Sequence, residues 1–241
     1  MMSEINQAVI LAGGMGKRLM PLTKNIPKPM VKIYNKPFLK YLIEYLQKQN
    51  IKKILILTGY KSKVIENYFK NKKNITVFKT RIKDDTGSRL LKAYKKKLLE
   101  NHFFLLYSDN YCELDYNTIR KNYFRKNKKI LMTVHTNNIF KGEYGLNNNV
   151  LYDKKTYLVK NYNFKYNLKP ENAIDIGVFV INQEIFKRFK NFNINKSFQK
   201  DILKLFINRR HVTAYPSSKK YFYITSRDSL NVFSSFIKRR N

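Results

Sequence analysis

The chain has 241 residues, with 49 Lys and Arg against 16 Asp and Glu, a formal charge of +33. Its content of 43% hydrophobic and 15% aromatic residues supports a sizeable core and excludes a disordered basic tail. The single cysteine, Cys112, excludes an intramolecular disulfide, His102, His135 and His211 lie too far apart for zinc spacing, and no apolar run approaches the roughly 20 residues of a membrane span.

Residues 7–11 (QAVIL) read as a buried strand running straight into Ala12, Gly13 and Gly14. Residues 38–49 follow Pro37 and carry apolar side chains at helical spacing. A strand at 54–58, a helix at Ser62–Phe69, a strand at Ile75–Lys79, a helix at 90–99 and a strand at 103–107 come next. Strand and helix alternating in this way imply right-handed crossovers and a parallel sheet covered on both faces, an α/β doubly wound, Rossmann-like fold. From residue 130 strands dominate, at 130–136, Val150–Tyr152, 157–162 and 176–181, before helical spacing returns at 183–189, 198–208 and 229–239. No linker separates these parts. The expectation is one domain over 1–241, with antiparallel strands added beside the mouth of the sheet in the C-terminal half.

The segment 11–30, LAGGMGKRLMPLTKNIPKPM, carries the chemistry. Gly13, Gly14 and Gly16 let backbone N–H groups approach an anion, a helix start beyond them would add its dipole, and Lys17 and Arg18 follow at once. The P-loop needs Ser or Thr where Arg18 stands, and the dinucleotide fingerprint has a different glycine spacing. Lys28, between Pro27 and Pro29, is presented from a stiff frame.

This stretch resembles the signature of the sugar-phosphate nucleotidylyltransferases, G-G-x-G-x-R-L-x-P-L-T followed by P-K-P. The resemblance implies that Leu11, Ala12, Gly13, Gly14, Gly16 and Lys17 bind the nucleotide, that Arg18 holds the leaving pyrophosphate, and that Lys28 neutralises the sugar phosphate or the α-phosphate. Thr86 and Gly87 stand where the family has a loop contacting the base; their bland alternative is an ordinary helix start with Thr86 as the cap. Asp109, delivered at a strand's C-terminal end, matches the family's ligand for Mg²⁺, against the alternative of a turn aspartate. Tyr111 and Cys112 beside it read as packing residues.

In the second half, Tyr144, Gly145, Asp175 and Gly177 resemble residues that approach the sugar, and either Lys160 or Lys165 fills the place of a lysine on the sugar phosphate. The likeness divides the chain into a nucleotide-binding half (1–129) and a sugar-phosphate-binding half (130–241). Near the end, Tyr223 and Thr225 replace the family's second metal-binding Asp and its Gly, leaving Asp228 as a possible substitute. A tyrosine here resembles the branch near heptose 1-phosphate and mannose 1-phosphate guanylyltransferases.

The implied reaction joins an NTP, with GTP favoured, to a sugar 1-phosphate. A catalytically weakened, nucleotide-binding homologue is the alternative that Tyr223 raises. The +33 charge raises another, a nucleic-acid-binding protein, but the lysines are spread through every segment and no nucleic-acid motif accompanies them. Neither a specific nucleic acid nor a membrane is an expected partner. The opening MMSEINQAVILAGG lacks the marks of a signal peptide, so a reducing cytoplasm is the expected location.

Overall fold

A computed structural model describes residues 4–136, 148–163, 172–189 and 194–240. The elements in chain order begin with β1 (Gln7–Ala12), a small hairpin of β2 (Lys32–Ile33) and β3 (Lys36–Pro37), and α1 (Phe38–Lys48). β4 (Lys53–Thr58), α2 (Ser62–Phe69), β5 (Ile75–Lys79), α3 (Thr86–Lys95) and β6 (His102–Tyr107) follow. Then come β7 (Asn110–Cys112), α4 (Tyr116–Lys126), β8 (Ile130–His135), β9 (Val150–Tyr152), β10 (Val159–Tyr162) and β11 (Ile174–Asn182). A 3₁₀ segment, Gln183–Arg188, and a π-helical segment, Phe198–Leu203, precede α5 (Lys204–Asn208), β12 (Val212–Ser217), β13 (Tyr221–Tyr223) and α6 (Arg227–Lys238).

Among the described residues, seven strands form one sheet in the order β12-β8-β11-β6-β1-β4-β5. β1 lies parallel to both β4 and β6, and β4 parallel to β5, as the alternation of elements predicts. Side chains alternate between faces with the period of a strand: Ala8, Ile10, Ile54, Ile56, Phe104 and Leu106 face one core, whereas Val9, Leu55, Leu57, Phe103 and Leu105 face the other. Helices α1, α2, α4 and α6 cover the first core, and α3, α5 and the 3₁₀ and π-helical segments cover the second. Phe233 of α6 joins the first core by edge contacts to Phe38 and Phe222, at 4.9 and 5.6 Å between ring centres.

Three expectations are corrected. Three of the later strands, β8, β11 and β12, are built into the sheet, with β11 antiparallel between β6 and β8, while the antiparallel pairs β9–β10 and β7–β13 lie outside it as expected. Helix α3 starts at Thr86 rather than residue 90, because the Asp85 carboxylate accepts a hydrogen bond from the Thr86 N–H at 2.6 Å; Asp85, not Thr86, is the cap. No full helix follows the glycines. Lys17–Leu19 is one 3₁₀ turn, so the aligned dipole expected there is reduced to its few free N–H groups.

Candidate active site

Chain order reverses at β1: the chain moves from β1 to β4 and β5 on one side and returns to β6 on the other. Open α/β sheets bind ligands at the C-terminal ends of strands flanking such a switch. A cavity of about 410 Å³ opens there, with Leu11 at the end of β1 and Tyr107, Ser108 and Asp109 leaving β6. Gly13, Gly14 and Met15 form one wall, Lys28 and Pro29 another, and the run from Ile82 to Thr86 with Arg89 and Asn195 closes the far side.

The glycine turn and the lysine loop are locked together. Gly16 has φ +62°, and a Cβ there would lie 2.8 Å from the Lys28 Cβ, so this position requires glycine for both conformation and space. The Thr23 hydroxyl donates to the Gly16 carbonyl at 2.9 Å, folding the proline-rich loop back. Lys28 then reaches across the cavity and its Nζ forms an ion pair with Asp109 Oδ2. The two side chains are 17% and 24% exposed, open enough to change partners.

Behind Asp109, the Ile224 N–H donates to its carbonyl at 2.9 Å, and the Asn110 amide donates to the Ile176 carbonyl at 2.9 Å. Gly177, with φ +74°, is the glycine that allows this approach, since a Cβ there would overlap the Asn110 amide. Asp175 receives hydrogen bonds from the Gly177 N–H at 2.7 Å and the Tyr162 hydroxyl at 3.0 Å.

Burial nevertheless pushes the Asp175 carboxyl up to about 6, with those two bonds opposing the rise. Its unfolded value is near 4, so between about pH 4 and 6 the folded chain holds a proton that the unfolded chain has lost. Stability therefore falls as pH rises through that window. An Asp175→Asn variant should gain melting temperature relative to the parent between pH 4 and 7; a difference that stays flat across this range would exclude burial of the carboxylate as the cause.

Of the residues singled out in the sequence, Leu11, Gly13, Gly14, Lys28, Thr86 and Asp109 line the cavity. Lys17 and Arg18 are exposed on the turn beside it. Ala12 is buried in the sheet core, and Gly87 packs against the segment after Asn195, where a Cβ would lie 2.8 Å from the Lys196 carbonyl oxygen. Lys160 sits on β10 and pairs with Asp153 at 2.9 Å. Tyr144, Gly145 and Lys165 lie outside the described residues. Tyr111 and Cys112 are core residues, and burial pushes the Cys112 thiol up to about 12, which suits packing and not reactivity.

Tyr223 pairs with Asn110 across β13 and β7, its side chain buried in the first core and not part of the cavity lining. Asp228 is exposed in the first turn of α6 and is not part of the cavity lining. Among the described residues no group of three or more His, Cys, Asp or Glu side chains could enclose a metal. One strand-end carboxylate still suits Mg²⁺, which is commonly held by one or two carboxylates with substrate phosphates and water supplying the rest.

Sequence reasoning missed Met15, Ile82, Lys83, Asp84, Arg89 and Asn195 as lining residues. Asn195 arrives through long-range bonds of its side chain: Oδ1 accepts from the Asp85 N–H at 2.8 Å and Nδ2 donates to the Lys83 carbonyl at 2.9 Å. No local signal announces such a contact.

A mostly parallel doubly wound sheet with a glycine turn, a lysine and a strand-end carboxylate around its switch point defines the class, an α/β fold laid out to bind a phosphorylated ligand at its strand ends. The profile of the nucleotidyl transferase family matches residues 7–223, and the chain belongs to that family. It is 32% identical over 205 residues to the D-glycero-alpha-D-manno-heptose 1-phosphate guanylyltransferase of Campylobacter jejuni, covering 83% of this chain and 87% of that protein. The crystal structure of HddC from Yersinia pseudotuberculosis complexed with GMP-PN has a TM-score of 0.78 at 23% identity, over 97% of this chain and 100% of that one. The inositol-1-phosphate CTP transferase of T. maritima gives 0.81 at 15% identity, over 99% and 97%. These two structural likenesses establish the fold. Among the described residues no helix is long and apolar enough to cross a membrane.

Proposed function

We propose that the protein transfers a nucleotidyl group from an NTP, with GTP favoured, to a sugar 1-phosphate of the heptose or mannose type, for nucleotide-sugar supply to surface glycans such as lipopolysaccharide or capsule. The observation that carries this reading is the Lys28–Asp109 pair facing the Gly13-Gly14 turn across one cavity. Its guanylyl preference leans on the relative from Campylobacter jejuni. Cytoplasmic placement belongs to the same proposal.

In this reading an oxygen of the sugar phosphate attacks the α-phosphorus, a new P–O bond forms, and the bond to the β-phosphate oxygen breaks with its electron pair leaving on pyrophosphate. The nucleophile is already an anion, so no general base or covalent intermediate is needed, and rate comes from positioning and charge neutralisation. The amides of Gly13 and Gly14 cradle the NTP phosphates. Lys28 releases Asp109 and lies between the two anionic substrates, and Arg18, exposed on the neighbouring turn, draws the pyrophosphate away. Asp109 would hold Mg²⁺ that arrives with the NTP, which supplies charge neutralisation on the phosphates.

Pyrophosphate release measured across four nucleotides and several sugar phosphates, with and without Mg²⁺, tests the assignment. GTP with a heptose or mannose 1-phosphate should give the highest kcat/KM. Arg18→Ala should lower turnover about 10- to 100-fold, the loss expected for one charge-assisted phosphate contact, with melting temperature unchanged. Full activity in that variant would remove Arg18 from the reaction.

Tyr223, a buried core residue where the family likeness expects a second carboxylate, favours a second reading, a homologue that binds nucleotide with little turnover. It predicts GTP binding without pyrophosphate release on any sugar phosphate in the matrix.

A further inference from the structure

Arg89 is 4% exposed, yet no carboxylate lies within ion-pair distance of it among the described residues. Its guanidinium donates to four oxygens instead. Nη1 bonds the Thr58 carbonyl at 2.8 Å and the Thr80 hydroxyl, and Nη2 bonds the Ile82 carbonyl at 3.2 Å and the Gly13 carbonyl at 3.4 Å. From the first turn of α3, one side chain thus ties together the exits of β1, β4 and β5 at the cavity floor. Burial opposes the guanidinium charge, and the Asp84 and Asp85 carboxylates, beyond ion-pair distance, offset only part of that cost; uncharged packing would be the cheaper way to fill the same space.

Two glycines make room for it. Neither Gly13 nor Gly59 has a positive φ, so conformation does not demand glycine at these positions. A Cβ on Gly13 would overlap the guanidinium carbon, and one on Gly59 would lie 2.6 Å from Nη1 and 2.9 Å from the Gly13 oxygen. The first glycine of the phosphate-binding motif is therefore shaped by the arginine beneath it.

The Gly13 carbonyl takes two donors, Arg89 Nη2 and the Tyr60 N–H at 3.2 Å. In a trans peptide unit the carbonyl of one residue and the N–H of the next point in opposite directions. Holding the Gly13 oxygen toward Arg89 and Tyr60 turns the Gly14 N–H the other way, on the side where Gly14 is exposed and space is open. We propose that Arg89 is the positioning residue of the nucleotide loop, clamping the Gly13–Gly14 peptide so that its N–H is aimed into the cavity while its positive charge attracts the incoming phosphates. This rests on the nucleotidyl transfer proposed above and adds a residue that acts on NTP binding and not on the sugar phosphate.

The test compares the parent with Arg89→Met, Arg89→Lys and Gly59→Ala. Three readouts are taken: GTP affinity by calorimetry, KM for each substrate, and the shift and hydrogen exchange of the Gly14 amide in the ligand-free protein. Arg89→Met should weaken GTP about 10- to 100-fold, as for the loss of one hydrogen bond involving a charge, and leave the sugar-phosphate KM unchanged. The Gly14 amide should shift and exchange faster, and Arg89→Lys should restore part of the affinity.

Gly59→Ala, which keeps the arginine but displaces it, should reproduce the NTP-selective loss and decides the matter if Arg89→Met fails to fold. Unchanged GTP affinity in a folded Arg89→Met, or equal loss for both substrates, would overturn the proposal. If the parent protein binds no nucleotide, the reaction assignment fails separately. The Gly14 amide then decides the clamp alone: a shifted, faster-exchanging signal upholds it and an unmoved one ends it.

Discussion

Asp109→Asn should lower turnover about a thousandfold while leaving the fold intact. Three carboxylates line the cavity, and two are already committed: Asp84 is tied to Lys92 and to Arg81, and Asp85 caps α3. Neither can take over the charge of Asp109. The substitution keeps size and shape, and the bond from the Ile224 N–H is to the backbone oxygen, so the strand pairing survives. It also frees Lys28 from its ion pair. Nucleotide binding without a divalent cation should therefore tighten while turnover with one collapses, two opposite responses from one atom. Calorimetry without Mg²⁺ and pyrophosphate release with it measure both. Turnover within tenfold of the parent would remove Asp109 from the centre of the reaction.

Lys28→Met should cost about a hundredfold or more in kcat/KM for the paired substrates. Methionine keeps the aliphatic stem that packs on Gly16 but removes the cation between two anions. The ion pair it breaks is partly exposed, so thermal stability should change by less than about 1 kcal/mol. Activity and stability separate here, which distinguishes a substrate-facing lysine from a structural strut. A large fall in melting temperature with modest loss of rate would reverse that assignment. Lys28→Arg should rescue little, because a longer planar fork cannot reproduce a compact ammonium held between Pro27 and Pro29.

Much of this site was legible in the sequence because its informative residues are contiguous. A strand, a glycine turn and a proline-framed lysine within 20 residues need no tertiary knowledge to be read. Asp109 lines the cavity where its position after an apolar run, together with the family likeness, had placed it, since strand ends deliver ligands to the sheet's edge. The first turn of α3 was missed because its buried residues are Gly87, Ser88 and Arg89, which give no apolar periodicity. Helix α4 was missed for a similar reason: its buried positions are Tyr116, Ile119 and Tyr123 in an otherwise polar segment, and the signal was the Asp115 cap. Strand β12 contains Pro216, which suits its place at the sheet edge but reads against a strand. Arg89 and Asn195 joined the cavity only through packing between distant segments.

The place of β11 has a consequence for how the molecule is made. Its pairing partners, β6 and β8, are both synthesised before residues 174–182, so each offers an unpaired edge until β11 is made, for about 65 residues of elongation in the case of β6 and about 40 in that of β8. The central sheet cannot close until β11 slides between them. Strands from both parts of the chain share this sheet, so neither part can complete it alone: a fragment ending near residue 135 would carry the whole glycine turn and Asp109 on a sheet with an open edge. Such a fragment would associate with other chains before it could bind anything.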